Sequence, residues 1–335
     1  MTSRERVLED DPRDRVRYSD RIVDRIGSLS ADGFFEILTT AVGSIVVVIL
    51  ALAAIILGRG SLPIWERFGV NFVTGTSWSV GAEAYGALPY ILGTLVTAGI
   101  AIAIGVPVSL GIAVFLAEMA PGPIRAPLSQ IVELLAAVPS VVYGFWGLFV
   151  FSSWMATYVE SPLSSTLGWI PIFKGQASGL DLLTAGSILA IMIIPTVSSI
   201  SKEVMMAVPS SQREAAYSLG ATRWEVVRMS VINYSRSGIF GAGVLGLGRA
   251  VGETMAVTMV IGNAVGPGAI PTSLFRPGQT MSSIIATEFG EASGKFLIPA
   301  LIGVGLLLFA FALLINVFAQ LMVTRVLRVA GGKVE

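Results

Sequence analysis

The chain has 335 residues; 54% are apolar and 13% charged, and 22 basic side chains balance 22 acidic ones. Zero net charge leaves no electrostatic footprint for a nucleic-acid partner. The sequence contains neither Cys nor His, which excludes disulfide frameworks, thiolate or imidazole metal sites, His proton relays and Ser-His-Asp hydrolysis.

Residues 1–36 alternate Arg13, Arg15, Arg17, Arg21 and Arg25 with Asp10, Asp11, Asp14, Asp20 and Asp24, the pattern of a solvated or loosely helical tail. This segment is too long and too acidic for a signal-peptide n-region. The Ala51-Leu52-Ala53 that imitates a cleavage site lies in an apolar run too long for an h-region, so the first helix is expected to be retained. Apolar runs long enough for a bilayer core of about 30 Å then follow at Ile37–Leu57, Leu88–Leu116, Leu128–Phe151, Leu182–Ile200, Ile239–Gly262 and Phe296–Val323. The expectation is an all-α membrane protein with six transmembrane helices over 37–323. A polar loop at 201–238 and a tail at 324–335 complete the chain.

Lys and Arg set the orientation. Segments 1–36, 117–127, 201–238 and 324–335 carry seven, one, five and three of them, whereas 58–87, 152–181 and 263–295 carry two, one and two. The positive-inside rule therefore predicts a multi-pass protein of the cell (inner or plasma) membrane, with both termini cytoplasmic.

Within the third run Glu133 lies five residues past Leu128, within reach of the interface. Pro139 and Gly144 interrupt the same run, and Pro195 marks the inner end of the fourth. Such breaks free backbone groups, and they often line a transport cavity.

The loop Ser211-Gln-Arg-Glu214-Ala215-Ala216-Tyr-Ser-Leu-Gly220-Ala-Thr-Arg-Trp-Glu225 is a water-loving pair of short helices between apolar runs. Ser211 with Glu214, and Thr222 with Glu225, have capping-box spacing. Gly220 stands where a helix end favours positive φ. Two well-capped helices on one loop suggest a rigid peg offered to a soluble partner.

Gly241-Ala-Gly243-Val-Leu-Gly246 matches a dinucleotide fingerprint literally, but a polar loop rather than a strand precedes it and it opens a 24-residue apolar run. Its glycines, and those of Gly248-Arg-Ala-Val-Gly252, suit close helix packing instead. Arg249 and Glu253, four residues apart, are expected on one helix face. An isolated Arg near the bilayer centre costs about 2.5–3.5 kcal/mol. The pair is either a structural ion pair or a cationic contact for a crossing anion. Arg249 is the only basic residue in the six runs, which favours the second, and a guanidinium suits phosphate-like oxygens because it can donate two parallel hydrogen bonds. Gly290-Glu-Ala-Ser-Gly294-Lys295-Phe296 is one residue short of a Walker A loop and has Phe at the Mg²⁺-binding position. The chain is therefore not expected to bind ATP itself.

The Glu214–Gly220 loop resembles the "EAA" loop of ABC-importer permeases. Together with it, Glu133-Leu-Leu-Ala-Ala-Val-Pro139-Ser140-Val-Val-Tyr143-Gly144-Phe-Trp-Gly-Leu-Phe and Gly248-Arg249-Ala-Val-Gly252-Glu253-Thr254-Met255-Ala-Val-Thr-Met-Val-Ile-Gly-Asn263 are similar to the PstC-type permease of phosphate ABC importers, over nearly all of residues 34–330. The resemblance implies a type I ABC-importer permease architecture and no catalytic or metal site in this chain. It implies a PstA-type permease partner, a PstB-type ATPase dimer carrying the ATP and Mg, and a PstS-type receptor that delivers phosphate. It also implies ATPase coupling through Glu214, Ala215, Ala216 and Gly220, a substrate path past Arg249 and Glu253, and helix breaks around Glu133, Pro139, Ser140, Tyr143 and Gly144. Ile232-Asn233 stands where the family's loop usually ends in Leu-Pro. A sulfate- or molybdate-type ABC permease would share the peg but is disfavoured by the Arg249–Glu253 segment. A secondary anion transporter would have no use for the peg. An intramembrane enzyme lacks a nucleophile–base pair here.

Overall fold

A computed structural model describes the backbone of residues 12–292 and 294–331, with side chains of 32–292 and 294–323. Residues 1–11 of the charged tail and 332–335 of the second tail lie outside the described residues. The chain divides into two compact units, residues 1–56 and 57–335.

In the first unit the backbone is α-helical from Pro12, within helix α1 (Pro12–Phe68). The expected boundary between tail and span at residue 36 is therefore no break in the helix. Thr39 Oγ1 donates to Phe35 O (2.8 Å) and Ser44 Oγ to Thr40 O (2.8 Å). Such back-bonding satisfies hydroxyls within an apolar helix that offers them no other partner.

The second unit begins with the last turns of α1, from Leu57. After α2 (Asn71–Thr74), strands β1 (Trp78–Ser79) and β2 (Ala84–Tyr85) pair antiparallel, with Trp78 opposite Tyr85. Helix α3 (Leu88–Val114) runs into a π-helical turn, Phe115–Met119. Helices α4 (Gly122–Ala136) and α5 (Ser140–Trp146) come next, and α6 (Ser152–Met155) and α7 (Ser161–Leu167) continue from α5 through further π-turns. The remainder comprises α8 (Leu182–Met206), the short α9 (Ser210–Ser218) and α10 (Arg223–Val226), α11 (Asn233–Gly252), α12 (Met255–Val260), α13 (Met281–Glu288) and α14 (Leu297–Gly331).

Helix α8 is the centre of the main core: Ile188, Leu189, Met192, Ile193 and Val197 are buried against Ala98 and Ala101 of α3, Ala242 and Ala250 of α11, and Ala256, Val257 and Val260 of α12. Small residues set the α3–α8 approach. A Cβ on Gly105 would lie 2.8 Å from Ile193 Cδ1, and one on Gly186 would lie 2.6 Å from Ile100 Cβ. Ser109 Oγ donates to Gly105 O (2.6 Å) and reaches Ile194 O across the seam (3.3 Å). Close backbones and shared hydroxyls are what associate helices in lipid, where apolar surface alone gives no preference for a neighbour.

Loops gather at two ends of this unit. At one, Trp78 packs edge-on against Tyr85 and Tyr90, Tyr90 OH accepts from Gly266 N (3.2 Å), and Leu182 N donates to Arg276 O (3.3 Å). This end joins segments 58–87, 152–181 and 263–295. At the other, the turn after α3, the ends of α8 and α11, and the α9–α10 loop converge: Ser235 Oγ donates to Val204 O (3.3 Å) and Arg213 reaches Glu118.

Four described helices are long and apolar enough to cross a membrane: Asp32–Phe68, Leu88–Met119, Leu182–Met206 and Leu297–Val323. Two of the six expected runs are not single helices. Leu128–Phe151 is bent by 88° between α4 and α5, with Pro139 extended at the break (ψ 140°), where the missing proline N–H favours ending α4. Ile239–Gly262 breaks at Glu253 (ψ 129°), between α11 and α12.

Candidate functional site

Two features expected to matter are each assembled by these elements: the polar peg at one end and the broken helix in the middle.

The peg is α9, a tight turn and α10. Gly220 has φ +81°; its N–H bonds Tyr217 O (2.9 Å) and the Ala221 N–H bonds Ala216 O (3.2 Å). This is the Schellman closure that a left-handed residue after a helix allows. Thr222 and Glu225 form the expected capping box, with Glu225 Oε2 accepting from Thr222 N at 2.7 Å. Those bonds from Thr222, backbone first, hold the Glu225 carboxyl below its ordinary pKa. The first box does not form. Helix α9 starts at Ser210 behind an extended Pro209, so Ser211 is already inside the first turn and no side chain caps it. Glu214 and Ala215 are exposed, Ala216 is half-buried, and Tyr217, Leu219 and Trp224 are exposed beside them. Three large apolar side chains are thus exposed on a short polar loop.

What fixes the peg to the helices is Arg213, which local patterns did not single out. Its Nη2 and Nε both donate to Glu118 Oε1 (2.7 and 3.2 Å), Nη2 also to Met205 O (2.9 Å), and Nη1 to Val208 O. Arg223 Nη2 donates to Glu118 O (2.7 Å). Lys202, buried on α8, pairs with Glu133 of α4 (3.3 Å), whose own side chain stays half-exposed. The expected interfacial Glu133 is thus an anchor for α4 against α8.

In the broken helix, Arg249 and Glu253 do not share a face. Helix α11 ends at Gly252, and the extended Glu253 turns away. Arg249 is half-buried and its Nη1 donates to Thr196 Oγ1 of α8 (3.0 Å), one residue past Pro195. Glu253 Oε1 accepts from Ala256 N (3.3 Å), capping α12, while its carbonyl accepts from Ser282 Oγ (2.7 Å). The expected ion pair is therefore absent, because the i,i+4 argument holds only where the helix continues.

The second break packs against the first. A Cβ on buried Gly144 would sit 3.1 Å from Ala256 Cα and 2.6 Å from Met259 Sδ, so α5 and α12 meet backbone to backbone. Tyr143 OH reaches back to Leu135 O (3.1 Å), bracing the α4–α5 bend. Pro139 and Ser140 form that bend, with Ser140 as the first residue of α5.

At the opposite end a buried acid pair went unnoticed in the sequence. Glu160 accepts from Gly179 N (2.9 Å) and Thr184 Oγ1 (3.1 Å), and Asp181 caps α8 through Thr184 N (2.9 Å). Asp181 Oδ2 has no donor, and both carboxyls converge on Thr184. Burial first, and the Glu160 charge beyond it, raise Asp181 to about 7.

Residues 109–328 match the family described as "Binding-protein-dependent transport system inner membrane component". The chain is 46% identical over 299 residues to "Phosphate transport system permease protein PstC" of Mesorhizobium japonicum, covering 88% of this chain and 90% of that one. The same identity and share hold for the PstC of Haemophilus influenzae, 93% of which is covered. "PstC 2" of Mycobacterium tuberculosis is 39% identical over 93% of this chain and 96% of its own length. Among solved structures, "Inward facing conformations of the MetNI methionine ABC transporter" has a TM-score of 0.48 at 18% identity, covering 72% of this chain and 94% of that one. The chain belongs to the family of binding-protein-dependent transport system inner membrane components, and within it to the PstC-type permeases.

Proposed function

We propose that this chain is the membrane-spanning permease subunit of an ATP-driven phosphate importer, forming half of the translocation path. The observation that carries this reading is 46% identity to phosphate transport permeases over 88% of the chain. A rigid peg and a membrane-embedded guanidinium beside a broken helix support it.

In this reading the peg end is cytoplasmic, in keeping with its excess of Lys and Arg. The ATPase seats on the exposed face of α9 and α10, against Ala215, Tyr217, Leu219 and Trp224, with Glu214 free to meet a basic group. A PstA-type permease completes the path, and a PstS-type receptor delivers phosphate to the end formed by 58–87, 152–181 and 263–295. Arg249 uses one of its donors on Thr196, which leaves others for an oxyanion. Because Glu253 caps α12 instead of neutralising Arg249, the cation is available to the passing anion. A single strong cation would trap phosphate, so the site must be open only part of the cycle. The breaks at Pro139 and Glu253, in contact through Gly144 and Ala256, are the joints that movement would use.

Reconstitution with the second permease, the ATPase and the receptor tests this. ATP-dependent accumulation of phosphate, and not of sulfate or molybdate, is expected. Accumulation of sulfate instead, or transport without the ATPase, would overturn the assignment.

A further inference from the structure

Glu118 stands out among the charged groups that the transport path does not use. It lies in the π-helical turn Phe115–Met119, which prolongs α3 and closes through Ala120 N donating to Phe115 O (2.7 Å). Both short helices of the peg grip it: Arg213 of α9 donates twice to its Oε1, and Arg223 at the start of α10 donates to its carbonyl. The Arg213–Glu118 pair is largely shielded, with side-chain exposures of 21% and 13%, so solvent screens it far less than an open surface pair. Arg213 also holds Met205 O and Val208 O at the end of α8. One guanidinium thus joins the peg to two transmembrane helices. These two helices approach closely at Gly105 and Gly186, and α8 carries Thr196, the partner of Arg249.

We infer that Glu118 is the positioning residue through which displacement of the peg is passed to α3 and α8, so that ATPase movement reaches the translocation path. The inference rests on the docking role proposed above for the peg. A widened turn suits this use, since π-turns inside helices concentrate at functional positions and permit a local change of register. A charged, doubly bonded link resists slippage in a way that apolar packing between the same elements cannot.

The test uses the reconstituted complex with phosphate as substrate, and two readouts: ATPase association, and phosphate carried per ATP hydrolysed. Glu118→Gln and Arg213→Gln should each retain association within about twofold and lower the transport ratio about tenfold or more; the pair of substitutions together should do no worse than Arg213→Gln alone, because that variant has already lost the Glu118 link as well as its bonds to Met205 and Val208. Glu118→Asp, which keeps the charge, should recover part of the ratio. Arg223→Gln, at an exposed position, tests the second grip without burdening folding and should lower the ratio by about two- to fivefold. A wild-type ratio in Glu118→Gln and Arg223→Gln, or a ratio that falls only as far as association does, overturns the inference. Gly220→Val separates the two layers. If it abolishes association while Glu118→Gln transports normally, only the link fails; if Gly220→Val associates normally, the docking role fails and the link falls with it.

Discussion

Replacing Gly220 tests the peg with the fewest side effects. The residue sits at φ +81°, and a Cβ there would meet nothing within 4 Å. A substitution therefore costs backbone conformation and no packing. For an L-residue forced into the left-handed region that cost is about 1–2 kcal/mol, and Val, branched at Cβ, stands at or above the top of this range. Asn visits the region readily and should cost only a few tenths of a kcal/mol. Since about 1.4 kcal/mol is a factor of ten, Gly220→Val should open the turn at least tenfold more often. Hydrogen exchange over the peptide 211–226 reads this directly, because the bond from Ala221 N to Ala216 O exists only in the closed turn. Exchange should accelerate about tenfold in Gly220→Val and stay within about twofold of the parent in Gly220→Asn. ATPase association should follow the same order. Equal behaviour of Val and Asn would refute the reasoning, because it would mean that positive φ is not what the position demands.

Other predictions follow from the remaining contacts. Asp181, raised to about 7 from 3.8, keeps its proton when folded across a window where the unfolded chain has lost it. Folded protein then binds more protons, so stability falls as pH rises from about 4 to 7 and levels off above. Asp181→Asn keeps an N-cap and offers Glu160 a donor, so thermal unfolding of the purified complex between pH 5 and 8 should lose that slope; an unchanged slope would place the titration elsewhere. Gly144→Ala should cost about 1–3 kcal/mol by overpacking, since the nearest backbone atom, Ala256 Cα at 3.1 Å, cannot step aside; a complex yield and uptake equal to the parent would count against the α5–α12 contact. Lys202→Met should loosen α4 from α8 and lower complex yield, and adding Glu133→Gln should change the yield little further, because Glu133 is half-exposed and tolerates loss of its partner.

The long helices were legible because composition alone defines them. Leu182–Ile200 reappears as the longer α8, and Leu88–Leu116 as α3 with the π-turn that carries it on to Met119, since the polar residues Lys202 and Glu118 are held at these helix ends by partners the sequence does not display. The breaks were only half legible. Pro139 announces the bend between α4 and α5, but not the seating of Gly144 on α12. At Glu253 no proline warns of the break. The available signal was the polar Gly252-Glu253-Thr254 inside an apolar run, with Glu253 three residues before the amide it caps. The grip on Glu118 and the Glu160–Asp181 pair join residues 95 and 21 positions apart, which no local period encodes. Ser211 misled for the opposite reason: its spacing to Glu214 is right, but the N-cap is Pro209, two residues earlier.

The missing Arg249–Glu253 pair changes what the broken helix can do. Had the two been joined, removing one would strand a buried charge and removing both would restore the site. With Glu253 bound to the amide of Ala256 and Arg249 bound to Thr196, each holds a different element: one starts α12, the other ties α11 to α8. Their substitutions should therefore add rather than compensate. Glu253→Gln keeps an acceptor for Ala256 N and should leave assembly close to normal, whereas Arg249→Gln removes the cation without removing a partner for any carboxylate. Loss of phosphate uptake in Arg249→Gln, with complex yield intact and no rescue by Glu253→Gln, is what a guanidinium facing the anion requires. Full uptake in the double variant would return Arg249 to a purely structural role.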